Sequence, residues 1–221
     1  MVRDGLYYGA TMTALGVLVS YLIQPWYGLP FFILAVFCLY FFRDPERRIP
    51  PGPVAVSPAD GKVVAVRPEG ASEQRVSIFL NIFDVHVNRA PIGGTITGIQ
   101  YRKGRFLVAS KELASLANEQ NTLVVEGNGT RVVFKQIAGL IARRIVCTKK
   151  PGDKVTAGER VGLIKFGSRV DVVFGPEWDI LVREGMRVAA GSSVLARRND
   201  VERIGDASAQ VSTLEPVACR G

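Results

Sequence analysis

The sequence predicts a mainly β protein with minor α content, in which a compact barrel- or sandwich-like domain follows an N-terminal hydrophobic helical hairpin. From Val54 onward the chain consists of short apolar runs between turn formers, with little that suggests helix. From Gly5 to Phe42 it contains no Asp, Glu, Lys or Arg. A length of 221 residues suits one ordinary domain with an appendage.

The N-terminal unit, residues 1–48, is predicted to be a membrane-associated hairpin. Turn formers and interfacial aromatics interrupt its uncharged run at Gln24–Pro30. Its two halves are near or below the roughly 20 residues that a spanning helix needs, so the hairpin either crosses the bilayer or only dips into it. Arg43, Arg47 and Arg48 follow directly, as is typical of a cytoplasmic flank. We therefore expect the protein at the cell membrane, on its cytoplasmic face.

The overall charge narrows the class of partner. Lys and Arg number 28 against 20 Asp and Glu, and the net charge of +8 favours an anionic partner. The uncharged N-terminus favours a lipid surface as this partner. Because the chain also has neither a basic helix nor a base-stacking motif, we predict no nucleic-acid partner. Three cysteines without paired spacing and a single histidine predict neither a disulfide framework nor a metal site.

The second unit, residues 49–221, begins after a proline-rich linker. Strands are predicted over residues 54–56, 61–66, 75–80, 94–99, 122–126, 130–135 and 145–148, with a hairpin turn over Glu126–Thr130. Only residues 110–117 and 137–144 suggest helix.

A turn, a short strand and a second glycine turn recur along this unit, starting at Asp60, Gly152 and Glu184. The pattern resembles the hairpins of lipoyl- and biotinyl-type barrels, whose turns carry a modified residue. In the third copy the second turn is Gly191-Ser192. A reactive residue on a tight turn of a rigid β scaffold suits strained backbone chemistry.

The pair Gly191-Ser192 can carry a specific reaction. A serine held in a tight turn can attack the peptide bond before it, and β-elimination and hydrolysis of the resulting ester leave a pyruvoyl group. The attack needs a base, and imidazole is the side chain whose ordinary pKa suits that role. His86 is the one histidine of the chain. A carboxylate must then orient the ring, and Asp84 is predicted on the same strand face as His86.

Four segments occur in the order of a known family: Pro58-Ala59-Asp60-Gly61, Phe83-Asp84-Val85-His86-Val87-Asn88-Arg89-Ala90-Pro91, Lys165-Phe166-Gly167-Ser168-Arg169-Val170-Asp171 and Gly191-Ser192-Ser193. Together they make the chain resemble the phosphatidylserine decarboxylases, in the short form with a hydrophobic N-terminus, over about residues 40–200. The resemblance implies a proenzyme that cuts itself between Gly191 and Ser192. The products would be a β chain (1–191) and an α chain (192–221), held together as a heterodimer.

The resemblance also implies the chemistry. Ser192 would become a self-derived pyruvoyl group, with no metal, that forms a Schiff base with the amine of phosphatidylserine and accepts electrons as CO₂ leaves. Phosphatidylethanolamine, a membrane phospholipid, would be the product. Asp60 is the carboxylate that the resemblance pairs with His86, with Asp84 as the alternative. A higher homo-oligomer is left open.

One position departs from the family pattern. Members carry a second histidine three positions after the one that matches His86, and here that position is Arg89. His86 would then serve both cleavage and decarboxylation, or share them with Arg89 or Asp84. Arg89 could instead meet the substrate phosphate or carboxylate.

A second hypothesis is a membrane-tethered lipoyl-like adaptor without catalysis. It would share the hairpin and the glycine turns, but it would not need Ser192 after Gly191 and would not split into two chains. A serine hydrolase is disfavoured because Ser192 lies in no G-x-S-x-G motif.

Overall fold

The computed structural model describes residues 2–104, 117–139, 144–165 and 168–199. Its two helices are α1 (Arg3–Leu22) and α2 (Pro25–Phe41). The strands are β1 (Val54–Val56), β2 (Gly61–Glu69), β3 (Glu73–Leu80), β4 (Val87–Arg89), β5 (Gly94–Arg102), β6 (Gln120–Gly127), β7 (Thr130–Ala138), β8 (Arg144–Cys147), β9 (Lys154–Val155), β10 (Arg160–Lys165), β11 (Ser168–Phe174), β12 (Trp178–Ile180), β13 (Arg187–Val188) and β14 (Val194–Arg198).

The strands of this part of the chain form three sheets. The largest is a curled eight-stranded half-barrel in the order β13-β2-β3-β11-β7-β6-β5-β9. Two three-stranded sheets, β1-β14-β12 and β4-β10-β8, complete the domain. All of the strand pairings within these three sheets are antiparallel. The prediction of a mainly β domain behind an apolar helical segment is confirmed.

Local turn chemistry explains one predicted hairpin, and strand pairing corrects one predicted helix. Asn128 and Gly129 join β6 to β7 with φ of 51° and 73°, the positive values that a tight two-residue hairpin turn requires. The helix predicted over 137–144 is wrong at both ends, because Ile137 pairs with Arg169 in the large sheet and Arg144 begins β8. The helix predicted over 110–117 lies, except for Ala117, outside the described residues.

The central strand β11 is buried along its whole length. Alternation sends Val170, Val172 and Phe174 into the apolar core, and it sends Arg169 and Asp171 to the opposite face. Arg169 is only 1% exposed and donates from Nε to Asp171 Oδ1 at 2.6 Å and from Nη2 to Ser77 Oγ at 2.7 Å. Buried charges of this kind are stable only when they are paired.

The two helices pack closely and rest on the β domain. A Cβ on Gly28 would lie 2.6 Å from Gly16 O, so small residues are what allow the helices to touch. At the base of the hairpin, Phe41 and Phe42 pack with Leu163 of β10. The hairpin is therefore docked on the small sheet that contains β4 and β10.

By length and hydropathy α1 could cross a membrane, and most of it is not buried in the structure. The core helix of a soluble protein would have to be buried, so the exposure of α1 favours association with a membrane. α2 is also apolar but shorter, at 17 residues. This arrangement agrees with the predicted hairpin.

The pairing within β11 leads to a stability prediction. Asp171→Asn removes the buried carboxylate that accepts from Arg169 Nε, and we expect it to lower the free energy of unfolding by about 3–5 kcal/mol. Asp179→Asn is the matched control, because Asp179 is exposed, and its effect should stay within about 0.5 kcal/mol. Urea unfolding of the detergent-solubilised protein measures both. Equal effects of the two substitutions would contradict this account of β11.

Candidate active site at the Gly191 turn

Two structural repeats position the turn that contains Gly191. β9 leads through a glycine turn into β10, and β13 leads through the Gly191 turn into β14. Gly158 and Gly191 occupy equivalent places, with φ of 75° and 76°. Their N–H groups donate to Ala90 O and Ser57 O, each at 2.8 Å. A Cβ on Gly158 would lie 3.6 Å from Gly191 Cα, so the two turns lie face to face.

The backbone on both sides of Gly191 is held by hydrogen bonds. Ser192 N–H and Ser193 N–H both donate to Ala189 O, at 3.1 and 3.0 Å. Ala189 N–H donates in turn to Ser193 Oγ at 2.9 Å. This closed turn requires the left-handed backbone at Gly191 that a side chain would strain. The link between Gly191 and Ser192 is therefore held in one conformation.

Asp60 lies directly beside this turn. Its Oδ1 accepts the N–H of Ala190 at 2.7 Å, one residue before Gly191. Nη2 of Arg47 donates to Oδ1 at 3.0 Å and to Oδ2 at 2.8 Å. Both side chains are only 16% exposed. The structure thus binds the predicted carboxylate to the Ala189–Ala190 peptide group, in the same turn as the predicted cleavage site.

Arg89 also meets the turn, through its aliphatic stem. Its Cδ would lie 3.1 Å from a Cβ on Gly191. Its guanidinium donates to Gly158 O at 3.0 Å and to Asp44 Oδ1 at 2.8 Å. Burial lowers the pKa of Arg89, and Asp44 opposes that shift. A guanidinium remains a cation in proteins and offers no acceptor, so Arg89 ties the two glycine turns together and cannot act as a base.

His86 has different surroundings. It is 2% exposed, and its ring packs on Phe41 of α2 with 4.2 Å between centroids. Its Nδ1 lies 2.9 Å from Asp84 O. Because a carbonyl only accepts, Nδ1 carries the hydrogen and the lone pair of Nε2 is left as the acceptor.

The burial of His86 changes its acid–base character. Burial lowers the pKa of His86 to about 4, against the opposing effect of the hydrogen bond to Asp84. The imidazole is therefore a neutral acceptor at pH 7. An ordinary imidazole is what the sequence predicts, because nothing in it indicates that α2 covers the ring.

The second carboxylate candidate, Asp84, touches His86 through its backbone. Its carboxylate accepts from Asn81 N–H at 2.8 Å and lies 3.3 Å from Nη2 of Arg187. The structure thus places Asp60 and Arg89 at the Gly191 turn, and it places Asp84 with His86. The pairing of His86 with Asp60 stays a prediction.

The sequence analysis missed a further set of residues at this turn, which come from the segment after α2. Arg47 pairs with Asp60, Asp44 pairs with Arg89, and a methyl group of Ile49 lies 3.1 Å from a Cβ on Gly191. Arg47 was interpreted only as part of a membrane flank. No signal in the sequence could have found these contacts, since each joins residues far apart in the chain.

The structure also bears on metals and cofactors. Within the described ranges, no group of three or more His, Cys, Asp or Glu side chains lies together as metal ligands would. A pyruvoyl group needs no ligand set, because it forms from the serine itself. The buried left-handed glycine and the half-buried Ser192 that follows it fit such a group.

Comparison with known proteins decides the family. The sequence model described as phosphatidylserine decarboxylase matches residues 34–196, which is most of the chain. This chain belongs to the phosphatidylserine decarboxylase family. The match includes the second half of α2, Asp60, His86 and the Gly191 turn, so the family resemblance expected from four short segments is confirmed.

Individual relatives agree along almost the whole chain. A phosphatidylserine decarboxylase proenzyme of Solibacter usitatus is 64% identical over 90% of this chain and 98% of its own length. One of Oleidesulfovibrio alaskensis is 45% identical over 86% of this chain and 90% of its own length. One of Magnetococcus marinus is 45% identical over 78% of this chain and 84% of its own length. The family is one of carboxy-lyases, and nothing favours the non-catalytic adaptor.

The buried imidazole predicts a specific pH dependence of stability. Its pKa is about 4 in the folded protein and about 6.5 when unfolded. As the pH falls below 6.5 the unfolded chain takes up a proton that the folded protein refuses, so stability is lost. Between pH 7 and pH 5 this loss is about 2 kcal/mol.

Replacement of the histidine isolates that contribution. In His86→Gln the side chain does not titrate, so its unfolding free energy should fall by about 2 kcal/mol less than that of the wild type over the same interval. Urea unfolding at both pH values gives the two differences. Parallel losses in the two proteins would show that His86 is not buried in its neutral form.

Proposed function

We propose that this chain is a proenzyme that cuts itself between Gly191 and Ser192 and then converts phosphatidylserine to phosphatidylethanolamine and CO₂. One observation carries the proposal. In a chain of this family, a left-handed glycine followed by a serine is held in a buried turn whose neighbouring N–H is bound by the carboxylate of Asp60. The β chain would be residues 1–191 and the α chain residues 192–221.

The self-cleavage would proceed on the chain's own atoms. Ser192 Oγ attacks the carbonyl carbon of Gly191, and the bond from that carbon to Ser192 N breaks as the nitrogen takes a proton. The resulting ester loses the Cα proton of residue 192 and releases Gly191 as a carboxylate. Water then replaces the nitrogen of the dehydrated residue, and ammonia leaves. The products are a free Gly191 carboxylate and a pyruvoyl N-terminus on the α chain.

Asp60 is the group best placed to assist the first step. Its hydrogen bond to Ala190 N–H fixes the Ala189–Ala190 peptide group of the same turn. Pre-organised geometry of this kind reduces the entropic part of the barrier to an intramolecular attack. In this assignment Arg89 contributes by holding the turn at Gly158 against the turn at Gly191.

His86 is assigned to the second reaction. The pyruvoyl group supplies an electrophilic carbonyl that takes up the substrate amine and accepts the electrons released with CO₂. Nε2 of a neutral His86 can take the proton of the substrate ammonium and return it to the carbon that CO₂ leaves. The carbonyl of Asp84 holds the ring in the tautomer that this requires. A chain with arginine at position 89 can thereby divide the two reactions between Asp60 and His86.

The location of the protein follows from the same arrangement. The docked apolar hairpin would hold the β domain at the bilayer surface, where the substrate headgroup lies. Arg43, Arg47 and Arg48 directly after the hairpin support the cytoplasmic face.

Intact-mass analysis tests the self-cleavage. The wild type should give two fragments that split at the 191/192 link, with a blocked terminus on the smaller one, and Ser192→Ala should give one uncut chain. Ser193→Ala is the comparison variant: it removes the Oγ that accepts from Ala189 N–H but keeps the attacking hydroxyl, so it should still split, at a reduced rate. A single uncut wild-type chain in a folded, membrane-bound preparation would refute the proposed self-cleavage.

A second experiment separates the roles of His86 and Asp84. His86→Ala should cleave but lose decarboxylation by about 100-fold or more, the range that general acid–base groups supply. Asp84→Asn should retain decarboxylation within a few-fold, because the ring is bound to the backbone carbonyl and not to the carboxylate. Fragment mass and CO₂ release are measured on the same samples. Failure of His86→Ala to cleave would instead make His86 the base of the first step.

A further inference from the structure

The segment Arg43–Ile49, here called the strap, connects the hairpin to the β domain and crosses the Gly191 turn. At its start Arg43 donates to Phe83 O at 2.6 Å. At its end Cδ1 of Ile49 would clash with a Cβ on Gly158, and it lies 3.1 Å from where a Cβ on Gly191 would be. The strap therefore covers both glycine turns and lies directly against the proposed cleavage site.

The strap also supplies the counter-charges of this site. Asp60 and Arg89 both flank Gly191, and each has its ion-pair partner on the strap: Arg47 at 2.8 Å for the first and Asp44 at 2.8 Å for the second. The side chains of Arg89 and Asp44 are each 7% exposed. In such partly dry surroundings, loss of one partner leaves a charge that water cannot fully compensate.

Arg47 is bound in a way that favours a task beyond stability. Its Nη2 donates to both oxygens of Asp60, while its Nε is buried and has no hydrogen-bond partner among the described residues. A buried donor without a partner costs stability. The guanidinium is therefore placed to suit Asp60 and not to satisfy its own hydrogen bonds.

The carboxylate of Asp60 is fixed by two hydrogen-bond donors, whereas a single donor would leave it able to rotate. With only the N–H of Ala190 as donor, the carboxylate could rotate about its Cβ–Cγ bond. The second donor, Arg47 Nη2, bridges both oxygens and stops that rotation. Oδ1 then stays bound to the Ala189–Ala190 peptide group of the Gly191 turn.

We propose that Arg47 is a positioning residue for self-cleavage, which acts by holding Asp60 against the Gly191 turn. The inference rests on the proposed function. In this proposal the strap contributes a residue to the cleavage site. Because the strap continues directly from α2, docking of the hairpin on the β domain completes the site that cuts the chain.

The test measures the rate of self-cleavage in cell-free synthesis with lipid nanodiscs, by appearance of the 192–221 fragment. Arg47→Met keeps the length of the side chain and removes its charge, and it should slow cleavage by about tenfold or more. Arg47→Lys should fall between Arg47→Met and the wild type, since an ammonium on a flexible, shorter stem keeps the charge but is held less firmly than a planar guanidinium. Arg48→Met is the matched control, because Arg48 is the exposed next residue, and it should cleave at the wild-type rate.

Thermal unfolding of the same substitutions in a Ser192→Ala chain records any loss of fold separately. Should Arg47→Met unfold, Arg47→Lys decides: a folded Arg47→Lys chain that cleaves several-fold more slowly than the wild type supports the positioning role. Wild-type cleavage by either Arg47 variant would overturn the inference and leave the proposed function intact. An uncut wild-type chain would instead refute the proposed function itself.

Discussion

The carboxylate of Asp60 lies in a largely dry site and therefore requires hydrogen-bond donors from the protein. Its hydrogen bonds connect three parts of the chain that are far apart in sequence. The loop before β2 provides the carboxylate, the turn before β14 provides the N–H of Ala190, and the strap provides Arg47. Removing any one of them would leave a half-buried charge incompletely solvated. This one interaction therefore links the Gly191 turn to the strap, which continues from the docked hairpin.

The repeated hairpins explain why such a site can exist in a small β domain. Each repeat ends its short strand in a left-handed glycine, and the two glycines pack against each other. In one repeat the following residue is Glu159, whose carboxylate accepts from Thr156 N–H. In the other the following residue is Ser192. The same scaffold thus carries an ordinary structural turn and, in our proposal, a reactive one, and the difference lies in the side chain and in the carboxylate beside it.

Local sequence predicted the elements that depend on local physics. The Asn128-Gly129 turn was predictable because few residues accept positive φ, and the uncharged run predicted the apolar helices because charge is costly in lipid. The segment 137–144 was predicted wrongly, since a short apolar run fits a buried strand as well as a helix and only pairing with β11 decides. Asp60, Gly191 and Ser192 could be put forward from the sequence because their types and order are specific. Arg47 and Asp44 were not found, since a charged residue in sequence does not reveal its partner.

By itself the sequence determined the fold class, the apolar hairpin, the family resemblance and the candidate cleavage turn, because each is written in residue types close together along the chain. Only the tertiary structure decided which charges meet. It placed Asp60 with Arg47 and Ala190, Arg89 with Asp44, and His86 beneath Phe41 with its pKa lowered to about 4. Burial and charge pairing arise from contacts between segments far apart in the chain, so they are properties of the packed molecule and not of any stretch of its sequence.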